Sequence, residues 1–291
     1  MKNKYLIKKN KKFGFYQISP TPSKEDVDKY YEEEFYSTKK YFNNSSLKVQ
    51  LEDKEFFDSR WKNMYSKFNS FSKKKKNISM LDVGCGWAQS LIYFKNKGYK
   101  CYGFDPSKEA VEYALKKNIA AKQSFLEGMN VFGNKKFDIV TLVNVLEHLR
   151  DPVKALVQIK NILKPGGIIF IDVPNDFNDF QIVGAKVHKM KNWWIAPPRH
   201  LNYFSNKTLS KLLKSLGYKI LLSEASFPIE MFLLFNDNYV LNRNLGKKCH
   251  KKRIFFEKNL IKFGKENVLN KFYQALAKLN LGRQVSIYAK K

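Results

Sequence analysis

The segment LDVGCGWA, Leu81 to Ala88, puts two glycines into the step from an apolar run to a helical one. Glycine there lets backbone approach a bound molecule, and the first N–H groups of a helix are unpaired donors. A dinucleotide loop of this kind wants glycine at its sixth position, where this chain has Gln89, so pyrophosphate binding is disfavoured. Asp105 ends the next apolar run 21 residues after Gly84, a place from which a carboxylate accepts hydrogen bonds from both hydroxyls of a ribose. Two histidines offer a base that titrates in the useful range: His148, beside Glu147, and His200, in APPRHLNYFS. Glu147 and His148 read equally well as a helix residue and a packed or capping one. Trp193 and Trp194, next to Pro197 and Pro198, either line a ring-shaped acceptor or plug a sheet edge. Tyr30, Tyr31 and Tyr36 read as core or lid packing, with acceptor contact the minority reading. Asp172, Asp176 and Asp179 are close in a spacing common in loops, so no metal site is expected.

Alternating strands and helices must position these residues, a pattern that argues for a parallel sheet covered on both faces. Ile78 to Val83, Cys101 to Phe104, Phe137 to Val143, Ile168 to Val173, Tyr218 to Ser223 and Gln284 to Tyr288 read as strands. Ala88 to Lys97 reads as a helix; another opens at Asp151-Pro152 and stops at Lys164-Pro165-Gly166-Gly167; a third spans Lys207 to Leu216. Residues 175–217 form a substrate loop, irregular up to the third helix, and 227–281 a helical addition. PTPSKEDVDKYYEEEFY reads as a helix start with Ser23 as its cap. The lysine run Lys73 to Lys76 sets a boundary between an N-terminal helical or lid segment, 1–71, and the domain 72–291 with its core at 78–174.

The acidic residue followed by Gly-x-Gly, Asp82 to Gly86, resembles the first motif of class I S-adenosylmethionine-dependent methyltransferases, with Ala88 in place of a third glycine. FDIVTLVNVLEHLRDP, LKPGGIIFIDVPN and HLNYFSNKTLSKLLKSLGY resemble later segments of that family's ubiquinone-biosynthesis-like branch. The resemblance covers roughly Ile78 to Ser223. It implies a Rossmann-like α/β fold with seven mostly parallel strands, the last antiparallel, and S-adenosylmethionine as cofactor. It also implies that Asp82, Gly84 and Gly86 contact the methionine end, with Cys85 inside that loop, and that Asp105, followed by Pro106, contacts the ribose. Ser124 and Phe125 are then adenine contacts or a plain loop, and Asn144 a cofactor-facing residue or a strand-capping amide. The expected activity is methylation of a small molecule, with oxygen as the target atom and a sugar or glycan precursor as the leading acceptor, in place of a quinone precursor, RNA, or a non-catalytic binding role. His200 or His148 would take the proton.

Composition bounds the partners. With 291 residues, 44% hydrophobic and 27% charged, the chain can bury a sizeable core, which excludes disorder. A net charge of +28 raises nucleic acid or an anionic membrane as a partner. Only six of the 54 cations are arginine, however, and scattered lysine among abundant Asn, Ile and Tyr reads as compositional bias. Three cysteines without Cys-x-x-Cys spacing support neither a disulfide framework nor a zinc ribbon and fit a cytoplasmic location. No apolar run approaches a membrane span, and the basic N-terminus lacks the apolar stretch of a signal peptide.

Overall fold

A computed structural model describes residues 5–30, 47–72, 76–125 and 128–291. Tyr31, Tyr36 and Lys73 to Lys75 lie outside them. The chain opens with a hairpin, β1 (Leu6–Lys9) and β2 (Tyr16–Ser19), then α1 (Lys24–Tyr30), α2 (Leu47–Glu52) and α3 (Lys54–Phe71). Ser23 caps α1, its Oγ accepting from the Asp26 N–H. The alternating region supplies β3 (Ser79–Val83), α4 (Gln89–Asn96), β4 (Lys100–Asp105), α5 (Lys108–Lys116), β5 (Ala120–Gln123) and β6 (Phe137–Val143). A single 3-10 turn, Leu146–His148, leads to α6 (Pro152–Ile162) and β7 (Leu163–Pro174). Then come α7 (Asp179–Val187), β8 (Asn202–Tyr203), α8 (Asn206–Ser215) and β9 (Lys219–Ala225). α9 (Met231–Leu234), α10 (Arg243–Lys262), α11 (Glu266–Lys278) and β10 (Gln284–Lys290) complete it.

Seven strands form one sheet in the order β5-β4-β3-β6-β7-β10-β9, with β10 antiparallel to both neighbours as the resemblance implied. Strand order reverses at β3, so the crevice above the carboxyl ends of β3 and β6 is where such sheets bind ligands. Alternation divides the core. Leu81 and Val83 of β3 face Leu156 and Ile159 of α6 and Leu209, Leu212 and Leu213 of α8. Met80 faces the other side, with Met64 and Phe68 of α3, Leu91 and Phe94 of α4 and Val111 of α5. The hairpin joins β8 in a separate three-stranded sheet, and Phe13 and Phe15 pack into the α6–α8 face.

Two expectations on local structure are corrected. The helix before β7 ends at Ile162, not at Lys164-Pro165-Gly166-Gly167, because Leu163 adopts extended backbone and pairs with Phe137. Proline and glycine there occupy the irregular start of the strand, where a ladder N–H is dispensable and Gly166 takes φ +71°. Residues 175–205 are not irregular throughout. Asn178 caps α7 by accepting from the Gln181 N–H, and β8 pairs with β2, so Ala185, Trp194, Leu201 and Tyr203 bury a small core with Ile18.

Candidate active site

The turn after β3 takes left-handed backbone at three alternate positions: Gly84 (φ +67°), Gly86 (φ +49°) and Ala88 (φ +51°). Ala88 thus holds a conformation that costs a residue with a Cβ about 1 kcal/mol, in the place where the resembling family has glycine. The N–H groups of Gly84 and Cys85 both donate to the Phe104 carbonyl, at 2.9 and 3.1 Å, hooking the loop onto β4. Cys85 turns its thiol inward, where burial pushes the pKa up, so this residue meets a ligand only through its main chain. Gly103 makes that packing possible: a Cβ there would stand 2.7 Å from the Cys85 Sγ and 2.8 Å from Leu91 Cδ1. Sequence reasoning passed over Gly103, although a glycine inside the apolar run CYGFD signals close approach.

Asp105 lies buried at the end of β4, its two oxygens accepting from the Gly86 N–H at 2.8 Å and the Ser107 N–H at 2.9 Å. Asp82 points into the protein. Thr141 Oγ1 and Ser90 Oγ donate to it at 2.6 and 2.9 Å, tying α4 and β6 to β3, and burial lifts its pKa to about 6 against those hydrogen bonds. Ser124 donates its N–H to the Asp105 carbonyl, and half-buried Phe125 has the Lys24 ammonium 5.1 Å from its ring centre. The Pro106 carbonyl accepts from Gln123 Nε2. Asn144 is exposed with φ +54°, its Oδ1 accepting from Gln284 Nε2 at 2.7 Å. Eight of the nine predicted cofactor residues therefore follow or end the adjacent strands β5, β4, β3 and β6 along one edge, and Asp82 stands one residue before the end of β3.

These residues fit S-adenosylmethionine. No atom stands within 4 Å of where a Cβ on Gly86 would be, so the turn presents bare backbone to open space. A buried carboxylate lies directly beneath it, accepting from that same backbone. Lys24 over Phe125 and Arg150 Nε donating to the Pro22 carbonyl bring the N-terminal segment across this edge.

The two predicted bases come together. The His148 and His200 rings meet edge to face with centres 5.0 Å apart, and Leu201 donates its N–H to the Glu147 carbonyl, joining the 3-10 turn to the loop. His148 Nδ1 lies 2.7 Å from the Arg199 carbonyl, an acceptor only, so Nδ1 carries the proton and Nε2 keeps its lone pair, 3.6 Å from Glu147 Oε1. Burial lowers the His148 pKa to about 4 and that of His200 well below the usual range, while it raises Glu147. Both imidazoles are neutral at pH 7, and Glu147 is held toward its neutral acid. One ligand atom from each of Glu147, His148 and His200 falls within 4.8 Å of the others, a set with the donor chemistry to hold a cation, at residues other than the acidic trio weighed from sequence. That trio disperses. Asp172 pairs with Arg60 and accepts from Ser286, Asp176 sits near Arg283 and Gln181, and Asp179 stands in the first turn of α7.

Among the described residues, eleven buried side-chain atoms lack a hydrogen-bond partner. Seven belong to the turn, the loop and the start of α9: Glu147 Oε2, Asn175 Oδ1, Asp176 Oδ2, Gln181 Oε1, Trp194 Nε1, His200 Nδ1 and Glu230 Oε2. Burial raises the Asp176 pKa to about 7. Sequence reasoning missed the part played here by Asp176, Gln181 and Glu230, because Glu230 comes from beyond β9. Trp194 is buried against Phe177 and Trp193, which favours the plugging role for it. His188 and His250 lie elsewhere, against the Leu233 carbonyl and Asp53.

A seven-stranded sheet with a glycine turn over a buried carboxylate defines a Rossmann-like nucleoside-binding domain. A family model described as a methyltransferase domain matches residues 57–223, more than half of the chain, and the chain belongs to that family. A tRNA U34 carboxymethyltransferase of Campylobacter hominis is 32% identical over 126 residues, 40% of this chain and 44% of the relative. A ubiquinone biosynthesis O-methyltransferase of Pelagibacter ubique is 30% identical over 127 residues, 41% of this chain and 53% of the relative. The chain thus spans about half the length of these curated relatives. Among solved structures, a SAM-dependent methyltransferase from Archaeoglobus fulgidus superposes with TM-score 0.53 at 21% identity, over 84% of this chain and 100% of that one. The plantazolicin methyltransferase BamL does so with TM-score 0.55 at 16% identity, over 91% and 94%. Both likenesses concern the fold.

Proposed function

We propose that the protein transfers a methyl group from S-adenosylmethionine to a hydroxyl oxygen of a small polyhydroxylated acceptor of the sugar or glycan-precursor class. The observation that carries this reading is the set of seven buried, unpartnered polar atoms on the 3-10 turn, the 175–205 loop and the start of α9. Buried polar groups without partners are costly, and a ligand rich in hydroxyls both donates to and accepts from such a set. A phenol with an apolar tail would leave most of them unpaired.

Asp105 and the Gly84–Gly86 turn hold the donor's ribose and methionine ends, with Ser124 and Phe125 at the adenine. The donor supplies a methyl group on a sulfonium, already reactive toward a positioned oxygen, so positioning provides much of the rate. His200 Nδ1, neutral and without a partner, takes the acceptor's proton as its oxygen gains the methyl. Neutral His148, oriented by the Arg199 carbonyl, packs against His200 and is the rival base. Purified protein given labelled donor and separate pools of sugars and nucleotide-linked sugars, phenolic quinone precursors, and tRNA should label the first. In that reaction His200→Ala should lower turnover by about 10²–10⁴ with donor affinity retained. Label entering only phenols or tRNA overturns the acceptor class, and unchanged turnover in His200→Ala overturns the assignment of the base.

A further inference from the structure

Helix α10 carries eight lysines and arginines against one acid, Glu257, and that acid is turned inward to accept from Tyr273 Oη. Cys249, the helix's buried residue, marks its inner side. At 100° per residue the opposite side carries Lys248, Lys251, Phe255 and Lys262, spaced three, four and seven apart so that they stack along one face. Lys258 also lies on that side and pairs with Glu55 of α3, but α10 itself places no carboxylate there. Phe255 is 69% exposed in the middle of it; Leu241, just before the helix, is 82% exposed, and Phe263, just after it, 71%. An exposed leucine or phenylalanine alone needs no explanation, but three of them along about 33 Å of a lysine-rich helix and its two ends are a different matter.

Lysine stems with apolar rings between them suit one environment: ammonium groups among anionic headgroups, rings in the shallow apolar layer below. A nucleic-acid surface rewards the charge but gives these side chains no apolar layer to enter, and the exposed face is built of lysine without the guanidinium forks that read phosphates and bases. The face also lies next to the acceptor side of the molecule. Asn242, the cap of α10, donates its N–H to the Tyr239 carbonyl, and Tyr239 lies within electrostatic reach of Glu230 and Arg283.

We infer that the outer face of α10, with Leu241 and Phe263 at its ends, docks the protein on an anionic lipid bilayer, lying on its surface without crossing it. No described helix is long and apolar enough to span a membrane, so the contact is peripheral. The inference is independent of the acceptor assigned above.

The test is flotation of the full chain with vesicles of phosphatidylcholine alone and of phosphatidylcholine with about one third phosphatidylglycerol. The protein should float with the anionic vesicles and not the neutral ones. Binding should fall by about 10²-fold when Lys248, Lys251 and Lys262 are changed to Gln, and should weaken steeply with salt. Phe255→Ser with Phe263→Ser should weaken it at least tenfold with all charges kept, since two exposed rings would no longer enter the apolar layer. These residues are exposed, so circular dichroism and donor affinity of each variant should match the parent. Absence of flotation with anionic vesicles overturns the inference. So does lipid binding indifferent to the two phenylalanines, or tighter binding to RNA than to vesicles at physiological salt, which would make the face a phosphate-tracking one.

Discussion

Asp82 shows what the glycine turn costs the protein. Its carboxylate is buried beside the loop, and desolvation holds its pKa at about 6, above the ordinary 3.8, despite hydroxyls from Thr141 and Ser90. A folded-state pKa above the unfolded one means that the protonated acid favours folding. The contribution is complete below about pH 4 and is lost as pH rises through 6, amounting to about 3 kcal/mol. Asp82→Asn removes the charge but keeps one acceptor. Urea unfolding across pH 4 to 7 should therefore show the variant gaining stability on the parent by about 3 kcal/mol, and a difference that stays constant with pH would refute this account. The donor-side residues were legible because short-range spacing determines them: Gly84, Gly86 and Asp105 fall at strand ends that the apolar runs already marked. Asp176 and Glu230 were not, because their significance comes from burial beside groups dozens of residues away.

Helix α3 is the element whose importance the sequence concealed. KEFFDSRWKNMYSKFNSF looks polar, yet Trp61, Met64, Phe68 and Phe71 recur at steps of three and four, and Phe68 packs edge to face on Phe170 and Tyr288. The helix is also pinned electrically, by Arg60 on Asp172 of β7 and by Lys67 on Glu224 of β9. Neither pair is foreseeable from positions 112 and 157 residues apart. Burial lowers the Lys67 pKa even with Glu224 beside it, and Glu224 Oε1 has no partner at all. Lys67→Met would leave that carboxylate buried without a cation. The expected loss is about 3–5 kcal/mol by denaturant unfolding, and adding Glu224→Gln should recover a good part of it. An equal loss in single and double variants would show that Lys67 acts by packing alone.

At the scale of the molecule, α3 bears on the segment 1–71 that the lysine run set apart. Its last helix covers one face of the main sheet, and Phe13 and Phe15 cover part of the other. β2 pairs with β8 beside His200, and the family match itself begins at residue 57. We therefore expect residues 72–291 alone to fail as a folded unit: circular dichroism should show no cooperative melt, and calorimetry no donor binding. A soluble fragment that melts cooperatively and binds donor would restore a detachable lid. Six of the sheet's seven strands were legible from alternation, the final one included, since apolar runs between turn residues need no distant information, whereas the short edge strand β5, AAKQ, has no such run. The helical character of the additions was legible as well, but not how α3 caps the sheet, because its two ion pairs join positions 112 and 157 residues apart.

The place of β10 has a consequence for how the molecule comes into being. This strand lies between β7 and β9, yet it follows both of them in the chain, after α9, α10 and α11. As the polypeptide emerges from the ribosome, β7 and β9 have no partner for their facing edges until some sixty further residues have been made. The interval leaves two apolar strand edges open in a nascent chain, the circumstance in which chaperone capture competes with self-association. Ile287 and Ala289 then enter a slot already flanked on both sides, so the sheet closes by insertion in its interior.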